Sequence, residues 1–350
     1  MNNMLIKKDR LPIKQFITLG ILPSPIKKIA YRFMGYKIGK NVKISFGSVI
    51  IGKNIKIGNN TSIGFFSVLR GRTINLGSFI RIGSLVFIDT EIIKIGDETR
   101  INENVRIGGI KFPDSEINIG KRVLIMAFSF INPTKRISIG DDTGIGGHCL
   151  LFTHSSWPSQ LEGYPVKFSS INLGKNVWLP WRVFVMPGVN IGDNTVISAN
   201  SLVSHSIPAN CLAAGSPAKI IKENYPSDIS TSEKEKILDK IFNDFIEYMN
   251  YHHYNVDKIN SPNGFKLELY KYKGHRNTLV YSNKPVDELN INKYSVLISN
   301  YLPESNTFLN ENSFKMVINL ITKTRKGTSS IGEEFISFIS RYGLRFDRLD

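Results

Sequence analysis

The sequence predicts a mainly β chain whose centre is a parallel β-helix of three-sided coils, with a short helical segment before it and an α/β domain after it. Three observations predict this. Six-residue units that open on Ile, Leu or Val recur from Ile38 onward, as IGKNVK, IGKNIK, IGNNTS, IGDETR, INENVR, IGKRVL and IGDNTV. Within a coil the aliphatic residue returns at the next two units, as in Ile57/Ile63/Leu69, Leu76/Ile82/Ile88 and Ile95/Ile101/Ile107. Gly at the second place and Asn or Asp at the third or fourth suit tight corners, where left-handed backbone angles are cheap for those residues. Repetition at a short fixed period identifies a solenoid. Neither a helical period of 3.6 nor plain alternation produces sixes.

Residues 1–35 form a basic, helical segment. Between Met1 and Lys56 stand twelve Lys and Arg against one acid, Asp9, so this stretch supplies +11 of the net +16. Such a block suits a negatively charged neighbour: a membrane surface, an acidic glycan or a phosphate-rich ligand. A solvated basic face is the alternative. Leu11 to Met34 mixes Leu, Ile and Phe with Lys14, Lys27, Lys28 and Arg32, which fits either a membrane surface or packing against the next domain. Nucleic acid is a poor partner, because the basic stretch has no zinc spacing, no RNA-binding signature and no heptad-linked helix. No apolar run is long enough for a signal peptide or a membrane span. Two cysteines, Cys149 and Cys211, are too few for a disulfide framework. The expected location is the reducing cytoplasm, with peripheral association at the inner face of the membrane.

Residues 36–222 form the coil domain. Its better-formed coils open at Ile57, Leu76, Ile95, Ile119, Ile139, Leu173 and Ile191. Three units make a coil of about 18 residues, coils stack about 4.8 Å apart, and each inward aliphatic side chain contributes roughly 1.5–3 kcal/mol. The spacings along the chain are 19, 19, 24, 20, 34 and 18. The 24 holds an excursion near Gly109 to Asn118, and the 34 holds an insertion near Phe152 to Ser170. Long loops on rigid scaffolds often carry function. This one contains His154, Trp157, Glu162 and Tyr164.

From Ile139 to Ile221 the chain reads IGDDTGIGGHCLLFTHSSW, then LGKNVWLPWRVFVMPGVNIGDNTVISANSLVSHSIPANCLAAGSPAKII. With these motifs it resembles the hexapeptide-repeat acyltransferases, closest to the galactoside, maltose and xenobiotic acetyltransferases and the bacterial polysaccharide O-acetyltransferases. The resemblance covers about residues 36–222 and implies a left-handed parallel β-helix; general crossover rules alone would have suggested the opposite hand. It implies acetyl transfer from acetyl-CoA, with His154 as the base that takes the acceptor's proton, and no metal. It also implies that the backbone N–H of Trp181 faces the oxyanion. Trp178, Ala199, Ser204 and His205 would line the coenzyme's path, and Lys219 and Lys222 would meet its phosphates. A homotrimer is implied as well, since in this family a groove between subunits holds the coenzyme. The chain departs from the galactoside pattern at Ile125-Met126-Ala127-Phe128, where an asparagine-rich acceptor strand is usual. That argues against a small free galactoside and for a polysaccharide (capsule or O-antigen) or its lipid-linked glycan precursor.

Near His154, Glu162 is the closest acid in sequence and a candidate to orient the ring. His148 falls at an outward place and Cys149 at an inward one, both read as structural. Residues 223–350 read as an α/β extension of unknown role. Thr231 to Tyr251 is an amphipathic helix with Ile237, Leu238, Ile241, Phe245, Ile246 and Met249 on one side. The runs LELYKY, NTLVYS, YSVLIS and FKMVINL are β-rich, and EEFISFISRYG is helical. His252, His253 and His275 show no metal spacing. Three other readings compete: N-acetyl transfer to an amino group of a nucleotide-linked sugar, a zinc enzyme drawing on His148, His154 and His205, and a non-catalytic scaffold.

Overall fold

The computed structural model of the chain describes residues 12–261, 264–271, 276–283, 295–299 and 314–349. The first eleven residues of the N-terminal segment and His275 lie outside them. The chain divides into two compact units, Met1–Ser227 and Asp228–Asp350.

The first unit is a three-sided prism of parallel strands. One face has eight strands, from Lys37–Ile38 to Asn190–Ile191; a second runs from Lys43–Ile44 up to a terminal hairpin; a third has eight, from Val49–Ile51 to Leu202–Val203. Strands pair with the equivalent strand one coil away, so the repeat becomes vertical columns. On the first face Ile38, Ile57, Leu76, Ile95, Ile119, Ile139, Leu173 and Ile191 stand in register. All but Ile38 are buried. Such columns of β-branched residues bury apolar surface on three sides at once, which is what makes a narrow solenoid stable.

The corners meet the expectation for asparagine but not for glycine. The fourth residue of the unit takes the left-handed angle, as at Asn41, Asn60 and Asn194, whereas the second-place glycines do not. Those glycines are required by close approach instead: a Cβ on Gly58 would lie 2.5 Å from the backbone of Gly77 in the next coil. At one corner the left-handed position is filled by Phe66, Leu85, Phe128 and His148. These residues carry a backbone cost of roughly 1–2 kcal/mol each. Stacking offsets part of it, with Phe46 edge-on to Phe66 and His148 flat against Phe128 at 5.2 Å. The early coils are 19 residues rather than 18, and the extra residue sits at the turn out of the third face.

The base of the prism is plugged by the helix Ser24–Phe33. Lys27 is fully buried and its Nζ donates to the carbonyls of Ser45 (2.6 Å) and Ser48 (3.1 Å). The Tyr31 hydroxyl accepts from the Ile50 N–H, and Ser24 Oγ accepts from the Ile44 N–H. The helix thereby satisfies edge groups that the first coil cannot pair. At the top, Cys211–Gly215 turns back on Ala218–Glu223 as an antiparallel hairpin. No helix among the described residues is long and apolar enough to cross a membrane.

The second unit is a seven-stranded mixed sheet with the helices Thr231–Tyr251 and Ser330–Ile339. Ser230 and Glu233 form a reciprocal cap at the start of the first helix, the arrangement expected when such a pair precedes an apolar stripe. That helix buries Ile241, Phe242, Phe245 and Met249. Ile237, assigned to the apolar side by spacing, is exposed, and Phe242, omitted from it, is buried. The last helix begins at Ser330, ahead of the EEFISFISRYG run, and gives way to a single tighter turn at Ser340–Tyr342.

Candidate active site

The insertion leaves the third face after Leu150–Phe152 and returns at Ile171–Leu173. Its two ends pair antiparallel, His154 opposite Phe168 and Ser155 opposite Lys167. The neck is fixed through Thr153, whose carbonyl accepts from Ser169 N–H (2.9 Å) and whose hydroxyl donates to Asn132 O (2.8 Å). His154 is therefore held on the rigid prism, although the tip beyond it, including Trp157 and Leu161, is exposed.

The His154 ring is half-buried and stacks on Phe168, with centroids 6.0 Å apart and planes 14° from parallel. Its Nδ1 lies 3.3 Å from the hydroxyl of Thr134, which is fully buried and itself reaches Asn132 Oδ1 at 2.8 Å. The Thr134 hydrogen is engaged by the Asn132 oxygen, so its oxygen serves as acceptor and Nδ1 carries the imidazole proton. Nε2 is then left with its lone pair, the state a base requires. Glu162 is exposed in the turn Gln160–Glu162 and makes no hydrogen bond or ion pair with the ring. Thr134 takes the orienting place that sequence proximity gave to Glu162. A clue was present: the coil spacing of 20 sets residue 134 directly under residue 154.

His154 opens onto a cavity of about 310 Å³ lined also by Phe87, Asp89, Arg106, Gly108, Gly109, Ile110, Phe130 and Asn132. A Cβ on Gly109 would meet Asn132 Oδ1 at 1.9 Å, so a glycine is needed there for the chain to pass. The excursion after Gly109 meets the insertion where Phe112 packs edge-on against Phe168 at 5.8 Å. Asp89 is bound by Arg70 and by Lys111 (2.7 Å). Burial alone would push its carboxyl up, but the hydrogen bonds and charges of Arg70 and Lys111 hold it below the usual range.

The other predicted residues lie elsewhere on the prism. Trp178 projects from the second face with its ring over Gly144, and Trp181 covers Gly147 at the corner where the second face meets the third. A side chain at either glycine would collide with those indoles. The Trp181 N–H has no acceptor among the described residues. Ala199 sits one coil above it, where Asn200 N–H donates to the Trp181 carbonyl (3.0 Å). Ser204 follows the last third-face strand, its hydroxyl 3.0 Å from His205 Nδ1. Lys219 and Lys222 project, exposed, from the last strand of the second face, opposite Ala214 and Leu212. Within one chain, then, His154 stands at the far end of the third face and Trp181 at its near corner. A face of about six extended residues spans roughly 20 Å. His148 is stacked between Phe128 and, at a tilt, Trp181. Among the described residues no group of three or more His, Cys, Asp or Glu is placed to hold a metal ion.

Known proteins are similar to this chain over part of its length. The protein WbbJ of Escherichia coli K12, named for O-acetyl transfer in lipopolysaccharide biosynthesis, is 34% identical over 137 residues, 38% of this chain and 61% of WbbJ. WcaF of the same strain, named for acetyl transfer in colanic acid biosynthesis, is 33% identical over 129 residues, 31% of this chain and 71% of WcaF. The galactoside O-acetyltransferase of that strain is 34% identical over 119 residues, 31% of this chain and 55% of the enzyme. The chain thus spans less than two thirds of the first and last of these relatives. No family model matches it.

Proposed function

Because the chain belongs to the hexapeptide-repeat acetyltransferases, proteins of the left-handed β-helix fold, we propose that it transfers acetyl from acetyl-CoA to a hydroxyl of a bacterial surface polysaccharide or its lipid-linked precursor. The observation that carries this reading is the free Nε2 of His154, set beside a cavity by the Thr134–Asn132 relay. In the reaction the acceptor hydroxyl gives its proton to Nε2 while its oxygen attacks the thioester carbonyl. The carbonyl oxygen, now anionic, receives the Trp181 N–H, a type of contact worth about 2.7–4 kcal/mol in related chemistry. Collapse expels the coenzyme's thiolate, which takes the proton back from His154. The coenzyme would follow Trp178, Ala199, Ser204 and His205, with its phosphates at Lys219 and Lys222.

Base and oxyanion donor are a face apart in one chain, so the reading requires copies set side by side, corner against edge, as a trimer. The base of the prism supports peripheral membrane association. Ile26, Ile29 and Phe33 form an exposed stripe on the plug helix, Ile13, Ile17 and Ile21 a second one, and the sequence holds no acid between Asp9 and Asp89. A prism standing on a bilayer would meet a lipid-linked acceptor from above.

Positioned base catalysis contributes about 10²–10⁴-fold, so His154→Ala should lower kcat by that range with acetyl-CoA and a glycan acceptor. Retention of most of the rate would count against the hydroxyl acceptor and favour an amine.

A further inference from the structure

We infer that Arg106 makes the cavity beside His154 a subsite for an anionic sugar, one bearing a carboxylate or a phosphate. The inference rests on the acyl-transfer reading for the identity of the cavity as the acceptor's place. Several cations near this cavity are matched: Arg70 and Lys111 share Asp89, Lys135 binds Asp114, and Arg136 binds Glu116. Arg106 differs. It is exposed and, among the described residues, its guanidinium makes no hydrogen bond or ion pair.

Its position is nevertheless fixed. Arg106 pairs in register with Phe87 one coil below and Phe130 one coil above, and its guanidinium lies 5.8 Å and 5.3 Å from their ring centres. Stacking occupies the flat faces of a guanidinium and leaves the N–H groups on its edge free, in the fork that matches a carboxylate or phosphate. Asp89 is spent on two other cations, so Arg70, Lys111 and Arg106 against one acid leave the wall with a positive excess. A neutral sugar would have no use for that excess, whereas an acidic one would be drawn in by it and held on two hydrogen bonds.

The test is a titration of the whole protein, without coenzyme, against three probes. These are an oligosaccharide of a uronic acid, the same oligosaccharide with its carboxyl groups reduced, and a glycosyl phosphate. The wild type should bind one of the two acids about ten- to a hundredfold more tightly than the neutral sugar, as a charged hydrogen-bonded contact implies, and which acid is preferred names the anion. Arg106→Gln should abolish the preference, and Phe130→Leu, which keeps the charge but removes a stacking ring, should reduce it. Equal affinity for acidic and neutral probes, binding of none of them, or an Arg106→Gln variant that keeps the preference would overturn the inference. Absence of ester formation in a separate assay with acetyl-CoA would instead strike the acyl-transfer reading, because the titration involves no transfer.

Discussion

Thr134 is the residue on which the state of His154 turns. Its hydroxyl joins the imidazole to Asn132, and loss of that hydroxyl would leave Nδ1 and Nε2 equivalent in their claim on the proton. One neutral hydrogen bond is worth about 0.5–1.5 kcal/mol, so Thr134→Val should lower kcat about three- to tenfold with little change in KM for acetyl-CoA, as steady-state kinetics can measure. Cys149 offers a pH test of the core. Burial pushes its thiol up to about 11 from the ordinary 9.0, so the folded state holds a proton that the unfolded state releases. Its contribution is complete below pH 9 and lost as pH rises through 11, a change of roughly 2–3 kcal/mol. Melting curves of Cys149→Ala should therefore fall less steeply between pH 9 and 11 than those of the wild type. At this scale the sequence was half legible. His154 announced itself by lying in a long insertion, but its partner is twenty positions away and adjoins it only through coil register.

The six-residue unit was legible because it is a period, and a period survives local exceptions such as Phe66 or Arg122 at corners where Asn is easier. The reason for its glycine was not, because the backbone of the next coil, which forbids a Cβ, is sixteen or more residues away. In the second unit, the helix Thr231–Tyr251 could be read from its cap and stripe. The strand Asn255–Ser261 could not, since its residues are mostly polar and exposed and show no buried apolar alternation. The plug helix is two-sided: Lys27 and Tyr31 face the prism while Ile29 and Phe33 face away. If that outer stripe meets anionic lipid, the protein should co-sediment with vesicles containing an acidic phospholipid, less so as salt rises. Ile29→Ser with Phe33→Ser should release it, and binding unaffected by either change would argue for a protein partner on this surface.

For the whole molecule, the proposed roles of His154 and Trp181, a full face apart in one chain, lead to the proposed trimer. A solution mass of three chains, by light scattering at micromolar concentration, is the expected outcome; an active monomer would break the link between the two edges. A mixture of His154→Ala and Trp178→Ala chains should also recover activity, because some seams would then combine an intact residue from each.

A solenoid of parallel strands has, in principle, no natural length: its last rung is a template for the next. The ammonium of Lys27, sunk between two carbonyls of the first coil, ends the column at the bottom by occupying the groups on which another prism would seat. Trimming the plug would thus do more than loosen the base. It would convert a finite object into a sticky one, prone to join end to end.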